Sequence, residues 1–339
     1  MTDAAKINPS DFLAALEEPG ASSADARLDS KEVRDFRDEK GNTLLMIAIE
    51  RSLIKAVRKL APVSDCEAVS KENLTALTLA AYNGDARMVA ALLPFCDANK
   101  QQAGNSLEGG ATALMFSMLR LDEKYPDAFL ALAKVSDMSL RNHLGETPLM
   151  IAAHFQNAFA VEKLLPLSNP DERDARGKTA LMIAAESGAR TALKRLLPVS
   201  DIEAQCHKGM TAMHYAAMLK LSYDLDVLRT LAPFANWSHQ RKIDGATPFA
   251  LALQHPTPLR LAAADFLAEK SPVEEVRAAV AKWGREDLPK AHARMESLEL
   301  AAEMNVSSWR QGSSDASVDE SESKNGVSGA KNPRQTKWL

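Results

Sequence analysis

The chain has 339 residues, 46% hydrophobic and 25% charged, ample for a sizeable buried core. A net charge of -4 argues against nucleic acid as a generic partner, which calls for a basic face. Three cysteines outside any CxxC pattern fit a reducing compartment, and neither a Sec-type leader nor a membrane-spanning apolar run is visible. From the N-terminus, Asn8-Pro-Ser-Asp11 combines an N-cap, a proline at N1 and an acidic first turn. Phe12, Leu13 and Leu16 give the following short helix an apolar face, within an N-terminal segment spanning residues 1–34.

From residue 35 a periodic pattern takes over. Thr43, Thr75, Thr112, Thr147, Thr179, Thr211 and Thr247 each open an apolar helical stretch, at steps of 32, 37, 35, 32, 32 and 36 residues. The Thr hydroxyl caps free amides, and an Ala pair such as Ala152-Ala153 lets the next unit approach closely. Gly84 and Gly188 close first helices. Second helices carry apolar residues at helical spacing (Val89, Leu92 and Leu93; Leu193, Leu196 and Leu197) and stop at Pro62, Pro94, Pro166, Pro198 and Pro233. A polar turn around Gly41, Gly145, Gly177, Gly209 or Gly245 leads into the next unit. One helix pair cannot bury its own apolar side, so the units must stack into a solenoid over residues 35–271. Unit three, with a long linker and no proline stop, is expected to be its weakest point.

Beyond the repeats, Ser271-Pro272-Val-Glu274 reads as a capping box, with Val273, Val276, Val280 and Trp283 as the stripe of a C-terminal helix. A further helix is expected over residues 288–303, so that 272–304 forms a helical cap. Residues 305–339, serine-rich and poor in aliphatics, read as a disordered tail.

These motifs resemble the ankyrin repeat. Asp38-Glu-Lys-Gly41-Asn-Thr43-Leu and Asp174-Ala-Arg-Gly177-Lys-Thr179-Ala-Leu follow its turn-and-helix pattern. Thr147-Pro148-Leu149 keeps its Thr-Pro-Leu core and His214 its histidine. The 32-residue period and the Leu-Leu-Pro-x-Ser-Asp ending depart from the usual 33 residues and Gly-Ala-Asp, and resemble bacterial-type variants. The resemblance implies an all-α ankyrin solenoid of about seven helix-turn-helix units with short β-hairpin loops, helical caps and a disordered C-terminal tail.

It also implies where a partner would dock. In this family the hairpin tips and the exposed ends of the first helices line a concave groove. Carried over residue by residue, that selects Tyr82, Leu119, Arg120, Phe155, Met218 and Leu219 at helix ends. At and beside the tips it selects Leu144, Arg176, Lys178 and Met210. Apolar residues flanked by Arg at solvent positions fit a protein interface. The competing reading is that some of them, Leu219 above all, fold back against their own unit. His214 is assigned to tying neighbouring units together, and Cys206-His207 to an exposed thiol beside an exposed imidazole.

No P-loop, HExxH or GxSxG pattern is present. The sequence therefore reads as a non-enzymatic scaffold, without cofactor or metal, that binds an unidentified protein. It implies no nucleic acid and no membrane insertion, with a monomer favoured and a cytoplasmic location. An alternative is a translocated bacterial effector that engages host proteins through the same array, its polar ends serving as secretion signals. An active site in the C-terminal helices is the third and weakest class, since that segment shows no nucleophile or metal set.

Overall fold

A computed structural model describes residues 8–18, 22–103, 109–119, 126–218, 225–254 and 258–283. These fall in one contact-defined unit, Met1–Ala291; the second, His292–Leu339, lies outside them, as do the expected 288–303 helix and the tail. The helices α1 (Pro9–Glu17), α2 (Ser22–Asp25) and α3 (Lys31–Arg34) come first. Pairs then follow: α4 (Leu44–Glu50) with α5 (Ile54–Leu60), α6 (Ala76–Asn83) with α7 (Ala86–Leu92), and α8 (Ala113–Ser117) with α9 (Pro126–Ala133). The next are α10 (Pro148–His154) with α11 (Ala158–Leu164) and α12 (Ala180–Ser187) with α13 (Arg190–Leu196). Last come α14 (Ala212–Met218) with α15 (Asp226–Leu231), α16 (Pro248–Gln254) with α17 (Pro258–Ala268), and the closing α18 (Val273–Trp283). The expected all-helical repeat is thus the observed one, with no strand among the described residues.

The threonines start the first helices as their chemistry requires. Thr43, Thr147 and Thr179 accept from the amides of Met46, Met150 and Met182 at 3.2–3.4 Å, and Thr75 forms a capping box with Thr78. Thr112 makes no such bond, and its helix α8 has five residues against seven or eight in its counterparts. First helices pack on one another along the stack, and their alanines are buried, as at Ala80, Ala152 and Ala184. The packing of α8 on α10 is the sparsest in that row. Across the same junction the outer helices touch through Phe129 and Phe159, edge to face with centroids 6.0 Å apart.

Hairpin turns stitch the units together. Each closes on itself, as Asn142 N–H to Glu146 C=O at 3.0 Å, Asp174 N–H to Lys178 C=O at 2.9 Å and Cys206 N–H to Met210 C=O at 3.0 Å. Tip amides then donate to the preceding tip: Ala175 to Leu144 at 2.9 Å, His207 to Arg176 at 3.1 Å and Lys242 to Lys208 at 3.0 Å. The close approach explains the turn glycines. Gly145 has φ +75°, and a Cβ there would stand 2.6 Å from the Ala175 nitrogen.

The Ser-Asp ending also has a physical reason. In six units an Asp or Asn at that place (65, 97, 137, 169, 201 and 236) accepts from the amide two residues on, at 2.8–3.1 Å. Side chains of Glu67, Asn99, Asp171 and Glu203 reach across to the backbone amides of Asp97, Asp137, Asp201 and Asn236 in the next unit, at 2.8–3.2 Å. The loop therefore carries its own inter-unit ladder.

At the ends, Asn8 caps α1 through the Ser10 amide, and α1 packs on α4 and α5 with Phe12, Leu13 and Leu16 buried. The C-terminal helix α18 packs on α16, and its Glu275 carboxylate accepts from the Thr247 hydroxyl. The expected Ser271 capping box does not form: its hydroxyl is buried without a hydrogen-bond partner. Val276 near the helix start is buried, and the helix packs on α16.

Candidate functional site

The first helices and hairpin tips of units three and four enclose an apolar cavity of about 160 Å³. Its walls come from Met115 within α8 and Leu119 just past it, Leu144 at a tip, and Ile151 and Phe155 on and just after α10. Three of the expected binding residues, Leu119, Leu144 and Phe155, thus converge from three separate places in the sequence. The cavity lies at the junction where α8 is short and packs least on α10.

One wall is polar. Glu146 is buried and accepts from the Asn142 amide at 2.8 Å, and its other oxygen lies 3.9 Å from His154 Nδ1. Burial pushes the Glu146 carboxyl up, but His154, Asn142 and the charge of Arg176 more than offset it and hold it below the usual range. An ionised carboxylate therefore stands in an apolar pocket, and the imidazole facing it, His154, is itself exposed.

The other candidates separate. Tyr82 is 43% exposed on α6, Arg176 is exposed at its tip and Met218 is half-buried at the end of α14. Arg120 and Leu219 lie outside the described residues. Lys178 and Met210 are corrections, being 6% and 3% exposed rather than open beside the tips. Lys178 turns inward to pair with Glu186, and its ammonium lies 4.6 Å from the centre of the Tyr215 ring. The Tyr215 hydroxyl donates to Cys206 Sγ at 3.4 Å. Cys206 is therefore buried as well, against expectation, and only His207 of that pair faces solvent.

His214 holds the structural place expected of it. Its Nδ1 accepts from the Thr211 amide at 3.2 Å, and Nε2 lies 3.2 Å from the Ala246 carbonyl of the next unit, which fixes the proton on Nε2. Burial lowers its pKa to about 4, so the ring is neutral. Among the described residues no cluster of three His, Cys, Asp or Glu could hold a metal, and no helix is long and apolar enough to cross a membrane.

A stack of helix pairs joined by hairpin tips defines a class. The family model described as "Ankyrin repeats (3 copies)" matches residues 12–103 and 117–206, more than half of the chain. The chain belongs to the ankyrin-repeat family. The human ASB11 ankyrin repeat domain is similar in structure, with a TM-score of 0.57 and 19% identity over 68% of this chain and 99% of that one. The ankyrin repeat domain of Bcl-3, a member of the IkappaB protein family, gives a TM-score of 0.53 and 22% identity over the same shares. At these identities the likeness is one of fold. No curated protein matches the sequence.

Proposed function

We propose that the protein is a non-catalytic interaction module that binds a protein partner in its inner groove, centred on the pocket between units three and four. Ankyrin repeats generally mediate protein–protein contacts, and the described residues offer no assembled catalytic set. The observation that carries the placement is the convergence of Leu119, Leu144 and Phe155 around a lined cavity beside the ionised Glu146. An apolar pocket with one charged wall suits a bulky aliphatic or aromatic side chain next to a Lys or Arg on the partner. A cation there would replace the exposed His154 as the carboxylate's neighbour.

The test compares crosslinked captures by wild type and by a Leu144→Glu/Phe155→Glu variant of unchanged melting temperature. A partner held by wild type should be lost by the variant, a drop of about 100-fold in affinity for two central anchors. Capture that survives the variant would remove the pocket from the interface.

A further inference from the structure

Of the eight large apolar side chains exposed among the described residues, five share one place in the repeat. Phe95, Val135, Leu167, Val199 and Phe234 each follow the stop of an outer helix, and each is 50–63% exposed. Four of them sit behind an exposed proline, at 94, 166, 198 and 233. The Asx turn two residues on holds each in the same attitude. Units stacked at the roughly 8–10 Å spacing of packed helices set the five in a row roughly 32–40 Å long. Isolated exposed apolar residues need no explanation, but one per unit in five successive units is a surface.

We propose that two copies of this chain pair along this edge. A partner must offer apolar groups at the same step over the same length, and another copy does so by construction. The charges point the same way. In chain order exposed Lys134, Lys163, Lys194, Arg195 and Arg229 precede the row's residues and exposed Asp97, Asp137 and Asp201 follow them. Within the chain Lys163 and Arg195 pair with Glu162 and Arg229 with Asp226, so the acids of a second copy compete for these three and meet Lys134 and Lys194 directly. A two-fold axis along the row sets the cations of one copy against the acids of the other. Beside Leu167 a hollow of about 490 Å³, walled by Ala133, Lys134, Met138 and Glu172, leaves room for facing side chains. The five side chains leave roughly 400–500 Å² of apolar surface uncovered, the upper range for a monomer. Doubled across two copies, with prolines and charges added, this passes the roughly 1,000 Å² that a specific interface needs. The sequence leaves the oligomeric state open, with a monomer favoured.

The test is the mass of the intact protein in solution across micromolar concentrations, by sedimentation equilibrium. Wild type is expected to rise to twice the monomer mass, and Phe95→Glu/Leu167→Glu/Phe234→Glu to stay monomeric with an unchanged circular dichroism spectrum. Asp97→Asn/Asp137→Asn/Asp201→Asn keeps the turns, since Asn169 and Asn236 close the same turn natively, and should dissociate about tenfold more readily. The groove variant should dimerise normally, which separates this edge from the pocket. A wild type that is monomeric throughout, or a dimer undiminished by the Glu and Asn variants, would overturn the proposal.

Discussion

At the scale of single residues, the repeat shows which positions need a given chemistry and where substitutes serve. Gly41, Gly145 and Gly177 occupy the left-handed turn, and unit two places Asn73 there with φ 58°. Asn is the side chain that best tolerates that region. Ser52 and Gln156 hold the same strained conformation at first-helix ends where units two and five have Gly84 and Gly188. His214 is the one ionisable side chain in its column, where the other units place Met46, Thr78, Met115, Met150, Met182 and Ala250. Its pKa is about 4 in the fold against 6.5 when exposed, so the unfolded chain takes up the proton first. Its contribution is therefore complete above pH 6.5 and is lost as pH falls toward 4. The stability difference between wild type and His214→Met, read from urea melts, should shrink by on the order of 3 kcal/mol across that window. A difference constant with pH would contradict the burial argument. The inward turns of Lys178 and Met210 were not legible, because repeat alignment places them beside exposed tips. What draws Lys178 in is Glu186 and Tyr215, the latter supplied by the next unit.

At the scale of elements, legibility followed the period. The seven threonines located every first helix, since a capping hydroxyl before an apolar stretch admits few other readings. Unit three also declared itself, through its linker and missing proline. Its short α8, uncapped by Thr112, and the sparse packing of α8 on α10 give that irregularity a structural form. In a stack whose units touch only their neighbours, such a junction opens first. Amide exchange of the free protein should be fastest over 113–117 among the first helices. Protection there equal to that of α12 would refute this ordering. The exposed row of Phe95, Val135, Leu167, Val199 and Phe234 was not read from the sequence, which marked only the proline stops beside it. An apolar residue next to a helix stop reads as core until the following Asx turn is seen to hold it outward.

At the scale of the whole molecule, the two proposed surfaces share one construction. The proposed groove gathers side chains that differ from unit to unit, which would suit one particular partner. The outer-helix edge repeats the same character five times, which suits a second copy. The loop ladder built on the side chains of Glu67, Asn99, Asp171 and Glu203 keeps the units in register, so that both surfaces hold their spacing. The placement of binding at units three and four depends on the pocket being open where the stack is loosest. A partner seated there would also brace that junction. Hydrogen–deuterium exchange with and without the captured partner reads this directly. The account predicts slowed exchange concentrated in residues 111–119 and 142–155. Slowing confined to the outer helices, with those two segments unchanged, would contradict it.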